Sequence, residues 1–498
     1  MMDRKEQNEI IASIPQKGFF GHPKGLFTLF FTEFWERFSY YGMRAILLYY
    51  MYYSIAQGGL GIDQATATSI MAIYGSLLYM SSIIGGWVSD RLLGSSRTVF
   101  WGGILIMVGH LILSLPGSIT TLFISMIFLI FGTGLLKPNI SSIVGNLYSK
   151  SDARRDSGFS IFYMGINLGA LVAPLVVGTI GQQYNFHLGF GIAAVGMMIG
   201  LLLFVFTKKK TLGLAGTQIP NPLTSAERKK TLKQFSISIL IIVFLCAVTI
   251  PTGLLTINRF TFLISILGII IPTCYFIYMY RSPKTTKVER SRLLAYIPLF
   301  IAATMFWAIQ EQGAIILATY ADQRTQLQFA GFKIQSAWFQ SLSPIFIVLL
   351  APLFAWVWIK LNTRQPSTTK KFAIGLLFAG LSFLIMIIPA YINGTDSLVS
   401  PIWLVLSFLL VVIGEVCLSP AGLSITTKLA PAAFSAQTIS LWFLSTASAQ
   451  AINAQVVKLY NPATEIIYFG VIGAISIVLS ITLFMLSPKI QSFMKGLH

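Results

Sequence analysis

The sequence predicts an all-α polytopic membrane protein of about fourteen transmembrane helices, and three observations lead there. Of 498 residues, 55% are hydrophobic and only 10% are charged, against about 25% charged in a soluble domain. Apolar runs of the roughly 20 residues needed to cross a bilayer recur along the whole chain. The polar segments between them are mostly short. Such a composition cannot coat a water-facing surface, which excludes a soluble enzyme.

The apolar runs fall at about 26–53, 67–90, 97–115, 119–146, 158–181, 187–207, 234–254 and 260–280. Six more follow at about 293–319, 335–359, 371–391, 400–427, 433–457 and 464–486. An even count puts both termini on one side. With the N-terminus inside, Lys and Arg crowd the cytoplasmic segments, from Arg4 and Lys5 through Lys150, Arg154 and Arg155 to Lys208–Lys210 and Arg228–Lys230. The opposite loops hold only Arg259, Arg324, Lys333 and Lys458. That asymmetry marks the cytoplasmic face, so both termini are expected in the cytoplasm of a plasma-membrane protein. The net charge of +19 then belongs to a membrane face and implies no nucleic-acid partner. The first 25 residues lack an apolar core leading to a cleavage site and are read as a tail. Cys246, Cys274 and Cys417 lie in apolar runs without CxxC spacing, so neither a disulfide framework nor a metal site is indicated.

The expected organisation is a tail at 1–25, a six-helix bundle at 26–207, a basic linker at 208–233, two inserted helices at 234–280, a linker at 281–292, a second six-helix bundle at 293–486 and a tail at 487–498. The first linker holds Pro220-Asn221-Pro222, a turn signal, and basic residues suited to the anionic inner leaflet. The inserted helices have no charged residue in their apolar spans and are assigned a packing role.

Glu33, Glu36, Arg37, Arg44, Lys137, Glu311 and Glu415 fall inside apolar spans. Each costs about 2.5–3.5 kcal/mol at a bilayer centre, so it persists only where paired or needed. At about 100° per residue, Glu33, Glu36, Arg37, Tyr40 and Arg44 share an arc of roughly 100° on the first helix. Lipid cannot accept that face, so it must wall a polar cavity. Lys137 follows Gly132-Thr133-Gly134, but no GK[ST] appears, so Pro138 is read as a kink aiming the lysine and not as part of a P-loop. Asn167 adds a donor and acceptor on the fifth helix. Glu311 and Glu415 have no basic residue in their own spans. Cations concentrated in one half and lone acids in the other suit a zwitterion, its carboxylate toward Arg and Lys and its ammonium toward Glu. Tyr40, Tyr41, Tyr79, Trp307 and Trp442 are candidates to line pockets.

Gly85-Gly86-Trp87-Val88-Ser89-Asp90-Arg91-Leu92-Leu93-Gly94 resembles the major facilitator superfamily loop between the second and third helices, with Asp90 and Arg91 bracing a turn that shifts during transport. Glu33-x-x-Glu36-Arg37-Phe38-x-Tyr40-Tyr41-Gly42, the stretch 162–169, Lys137, Glu311 and Glu415 together resemble the proton-dependent oligopeptide transporter family. The resemblance covers about 25–487 and extends to the two inserted helices. It implies a major facilitator fold and import of di- and tripeptides driven by protons, with no cofactor and no enzymatic activity. The expected partners are peptide, protons and the bilayer, and the protein is expected to work as a monomer.

By that resemblance Arg37, Arg44 and Lys137, with Tyr40, take the peptide carboxylate. Asn167 and Glu415, with Ser343, take the amino group. Glu33, Glu36, Arg37 and Glu311 carry proton coupling. The mechanism expected from these residues is alternating access in which protonating Glu311 releases a partner such as Arg44. Tyr41, Tyr79, Trp307 and Trp442 line side-chain pockets. Ser343 departs from the pattern, since relatives commonly place Asn before this Pro. A carrier of anions such as nitrate or carboxylates is the alternative; it needs the basic wall but not Glu415. His22, His110, His187 and His498 are too scattered for a hydrolytic site, and the paired charges without a repeated filter motif argue against a channel.

Overall fold

The computed structural model describes residues 9–149, 152, 154–329 and 331–495; Arg4, Lys5, Lys150 and the far ends of both expected tails lie outside the described residues. Helices dominate. In chain order they are α1 (Gly25–Tyr52), α2 (Gln64–Val88), α3 (Ser95–Ser114), α4 (Ile119–Asn146), α5 (Arg155–Gln183), α6 (Phe186–Thr211), α7 (Ser225–Thr249) and α8 (Ile257–Arg281). There follow α9 (Lys287–Gln310), α10 (Ile316–Gln323), α11 (Leu342–Leu361), α12 (Thr368–Leu384), α13 (Ile387–Asn393), α14 (Ile402–Leu429), α15 (Ser435–Val456) and α16 (Glu465–Phe493). A hairpin of β1 (Gln328–Phe329) and β2 (Phe332–Lys333) lies between α10 and α11.

Twelve helical stretches among the described residues are long and apolar enough to cross a membrane. The more polar α1 and α15 are of comparable length and bring the set to the expected fourteen. α9 and α10 form one interrupted stretch, as do α12 and α13. The seventh helix starts earlier than expected. Thr224 Oγ1 accepts from the Glu227 amide at 3.3 Å and Glu227 Oε2 accepts from the Thr224 amide at 2.9 Å. This capping box draws Arg228–Lys233 of the expected linker into α7.

The chain divides into two compact units. The first comprises Met1–Ser39, Met80–Gly169 and Gly191–Ile264, and small residues set its helix spacing, as expected where lipid supplies no hydrophobic drive between helices. A Cβ at Gly134 would stand 2.3 Å from Ser81 Oγ, and one at Gly132 would stand 2.8 Å from the Gly102 carbonyl. Thus α4 packs closely on both α2 and α3. α4 runs through Pro138, which has no N–H for the Gly134 carbonyl. That carbonyl abuts Gly85 instead, where a side chain would collide with it.

Past α2, Ser89–Leu93 forms a π-helical turn ending at Gly94, whose φ of +75° favours glycine. The turn that carries Asp90 and Arg91 is tied to the segment after α6. Arg91 pairs with Glu227 at 3.2 Å, and the Asn221 and Leu223 amides donate to the Asp90 and Arg91 carbonyls. The brace runs to the linker.

The second unit comprises Tyr40–Tyr79, Ala170–Phe190 and Ser265–His498. Gly375 packs on Gly414 and Leu418, and Gly380 on Gly473, bringing α12 against α14 and α16. Tyr52 and Tyr53 both donate to Asp322 on α10, at 2.6 and 2.7 Å. Arg324 pairs with the buried Glu465 at the start of α16, at 3.0 Å, and donates to the Gly394 and Ser397 carbonyls.

Candidate functional site

In the first unit, the polar arc of α1 condenses around one guanidinium. Arg37 Nε lies 2.9 Å from Glu33 Oε1 and 2.5 Å from Glu36 Oε2, and all three side chains are buried. Lys137, half-buried on α4, acts electrostatically on both carboxylates. Two carboxyl groups therefore share one guanidinium with a lysine nearby, the kind of pairing that lets ionisable groups persist in an apolar setting. α5 reaches this group through glycine. A Cβ at Gly169 would stand 2.4 Å from the Phe34 carbonyl and 3.0 Å from Arg37 Cβ, and one at Gly165 would stand 3.0 Å from the Phe30 ring. Asn167, between those glycines, is buried, and its Nδ2 donates to the Tyr163 carbonyl one turn back at 2.9 Å. One amide hydrogen is thus engaged within its own helix.

In the second unit, Glu311 sits at a break. α9 ends at Gln310, Glu311–Ala314 form a 3-10 turn, and α10 resumes at Ile316. Irregular backbone at this depth needs internal partners, and it has them. Gln340 Nε2 donates to the Gly313 carbonyl at 2.8 Å, Asn453 Nδ2 to the Ala308 carbonyl at 2.9 Å, and Gln312 Nε2 to Asn453 Oδ1 at 3.0 Å. The Glu311 carboxylate is itself surrounded. Arg44 forms a short ion pair with Oε2, Gln450 donates to Oε2 at 2.7 Å and Tyr79 to Oε1 at 3.3 Å. Tyr40 and Tyr41, rings 5.1 Å apart, lie within electrostatic reach of Arg44.

Glu415, buried on α14, lies within electrostatic reach of Glu311 and beside the Gln310 side chain. Its Oε2 is buried and has no hydrogen-bond partner among the described residues; neither does Trp307 Nε1. The Trp307 and Trp442 rings meet edge to face, centroids 6.4 Å apart, and Gly422 makes room for the Trp442 ring. Ser343 lies in the first turn of α11, half-buried beside Pro344. Among the described residues no hydrogen bond joins it to Glu415.

Each unit therefore gathers its share of the expected residues: Glu33, Glu36, Arg37 and Lys137 in one, Tyr40, Tyr41, Arg44, Tyr79, Glu311 and Glu415 in the other. Gln450, Gln310 and Asn453 were not anticipated. A signal existed for two of them: in Ala447-Ser448-Ala449-Gln450-Ala451-Ile452-Asn453 carboxamides recur three apart among small residues, the composition of a polar helix interface within a membrane.

The family model described as the POT family matches residues 96–478. The chain is 64% identical to a protein named uncharacterized transporter YclF from Bacillus subtilis (strain 168), over 99% of each. It is 47% identical to the di-/tripeptide transporter of Lactococcus lactis subsp. cremoris, over 96% of this chain and 98% of that one. The crystal structure of a peptide transporter POT in complex with sulfate superposes with a TM-score of 0.97 at 63% identity, covering 100% of both chains. On this evidence and on its own helical architecture, the chain belongs to the POT family of membrane transporters.

Proposed function

We propose that this protein is a proton-coupled symporter that imports di- and tripeptides, with the bundles at 26–207 and 293–486 alternating access to a midplane site. The observation that carries this reading is the contrast between two acids of one unit. Glu311 is held by Arg44, Gln450 and Tyr79, whereas Glu415 keeps a buried oxygen with no hydrogen-bond partner among the described residues. A held carboxylate suits a coupling site, which gains or loses a proton by exchanging partners. A carboxylate with open acceptor capacity suits a peptide ammonium. The name of the Lactococcus relative supports the same substrate class.

In this reading Glu415, with Asn167 and Ser343, receives the amino terminus. Arg37, Arg44, Lys137 and Tyr40 receive the carboxylate. Tyr41, Tyr79, Trp307 and Trp442 line the side-chain pockets. Glu33, Glu36, Arg37 and Glu311 couple protons, and the Asp90–Arg91 turn moves with the cycle. The protein works as a monomer in the plasma membrane with both termini cytoplasmic, needs no cofactor and is not an enzyme. One proton crossing 100 mV yields about 2.3 kcal/mol, enough for roughly fiftyfold accumulation of a neutral solute.

The test is uptake of a labelled dipeptide into proteoliposomes under an inward proton gradient. Unlabelled tripeptides compete, N-acetylated dipeptides and free amino acids do not, and Lys137→Ala abolishes driven uptake. Competition by nitrate in place of tripeptides would transfer the assignment to an anion carrier.

A further inference from the structure

α15 carries Gln450, and three sets of neighbours fix where that side chain stands. With Gln450 at 0° on the helix, Asn453 falls near 300°, Ala447 and Ala454 near 50°, and Ala451, Gln455 and Ser448 at about 100–160°. The first edge meets the α9 break, where Gln450 holds Glu311 and Asn453 takes the Ala308 carbonyl. The second meets α2. Ser76 Oγ donates to the Ala447 carbonyl at 2.8 Å and Ser69 Oγ to the Ala454 carbonyl at 2.7 Å, while a Cβ at Gly75 would stand 2.7 Å from Gln450 Nε2.

The third edge meets α8, the second of the inserted helices. Ser265 Oγ donates to the Ala451 carbonyl and Ser448 Oγ to the Gly268 carbonyl, both at 2.6 Å, and Gln455 Nε2 donates to Ser265 Oγ at 3.0 Å. At Gly268 the backbones approach so closely that a Cβ would stand 2.3 Å from the Ala451 methyl. These bonds are reciprocal between the helices and lie within two turns of Gln450. By contrast α7, its partner in the insertion, is exposed along nearly its whole length.

We infer that Gln450 is a positioning residue for Glu311, and that α8 is the brace that holds α15 at the distance this requires. The second inserted helix, α8, then serves the coupling step and is more than packing. The Gln450 amide donates to the same carboxylate oxygen as Arg44, so it holds Glu311 in the Arg44-paired geometry. A hydrogen bond at 2.7 Å weakens if α15 shifts by a fraction of an ångström, and the close approach at Gly268 together with the serine bonds sets where α15 stands against α8.

This inference rests on the proposed role of Glu311 in proton coupling, and the experiment separates the two. Proton-driven uptake, its pH profile and peptide counterflow without a gradient are measured in proteoliposomes for Gly268→Leu, Ser265→Ala/Ser448→Ala, Gln450→Ala and Glu311→Gln. Gly268→Leu and the double serine variant are expected to keep counterflow within about twofold while driven accumulation falls about tenfold, as loss of a hydrogen bond to a charged group implies. Their pH midpoints shift in the same direction as that of Gln450→Ala. Should Gly268→Leu fail to insert, the double serine variant decides. Normal driven uptake and an unmoved pH midpoint in the brace variants, with Glu311→Gln impaired, overturn the brace alone. Equal losses of counterflow and driven uptake also overturn it, since they report packing only. Driven uptake unchanged in Glu311→Gln overturns the coupling reading and this inference with it.

Discussion

Arg44 and Gln450 donate to the same oxygen, Oε2 of Glu311, one from α1 and the other from α15. A charge and a neutral amide thus share one acceptor. Glu311→Gln keeps the shape of the side chain but not its charge. Proton-driven accumulation of dipeptide is expected to fall at least tenfold, the scale of a lost charge-assisted contact. Counterflow falls by a smaller factor, and comparing the two rates in one proteoliposome preparation is the check.

The buried pair of Arg324 and Glu465 makes a different kind of prediction. Removing one partner of such a pair leaves an uncompensated charge and costs about 3–5 kcal/mol, whereas replacing both with apolar residues is often neutral. Arg324 also donates to two carbonyls of the 394–397 loop, so Glu465→Ala strands a cation that is still partly satisfied. Thermal unfolding in detergent should show a large drop in Tm for Glu465→Ala and a smaller one for Arg324→Leu/Glu465→Leu. Equal drops would mean the pair contributes no mutual attraction.

Much of this was legible from the sequence because a bilayer permits so little. Fourteen apolar runs became fourteen helices or helix pairs, and Glu33, Glu36 and Arg37 met on one face because helical periodicity alone puts them there. Contacts between helices were not legible. No periodicity announces that α9 breaks at Glu311, since past Pro298, three turns upstream, its apolar run continues without a proline or glycine before Gly313. Gln450 belongs to a helix distant in sequence, and a lone carboxamide usually signals interhelical adhesion. The partner of Arg91 was missed for a related reason: its nearest opposite charge in sequence is Asp90, but consecutive residues on a helical turn point apart. The capping box at Thr224 is present in the sequence as T-x-x-E, within the stretch 208–233 that its charge marks as linker.

On the tail side of the first unit, His22 gives a pH dependence whose sign follows from its surroundings. Its Nδ1 lies 2.9 Å from Tyr148 Oη, and Ser157, Arg154 and Asp152 complete the cluster. Burial first, and then the Arg154 guanidinium, hold the imidazole below its ordinary value of 6.5, against the opposing pull of Asp152. A native group that resists protonation contributes stability that is whole above the unfolded pKa and is lost as pH falls through it. Asp152, held low chiefly by hydrogen bonds from Arg154, gives way only in stronger acid. Between pH 7.5 and 5.5, amides of residues 16–24 should therefore lose protection from hydrogen exchange, and His22→Gln should flatten that dependence. Unchanged protection in the wild type across this range would remove His22 from the account.

Gly169 sets how closely α5 approaches the Arg37 cluster, and Gly191 offers the control. A Cβ at Gly169 would meet the Phe34 carbonyl at 2.4 Å, a backbone atom that cannot swing aside, and Arg37 Cβ at 3.0 Å. At Gly191 the nearest atom, Ser114 Cβ, would be at an ordinary 3.7 Å. Both glycines are helical, so alanine gains similar helix propensity at each, about 1 kcal/mol. At Gly191 nothing opposes that gain and Tm holds or rises. At Gly169 overpacking of about 1–3 kcal/mol outweighs it, and the displaced α5 shifts the groups around Arg37. Gly169→Ala is expected to lower both Tm and driven peptide uptake, while Gly191→Ala leaves uptake intact. Matching Tm values for the two variants would show that α5 has room to yield, and that the glycine is not what fixes its distance from Arg37.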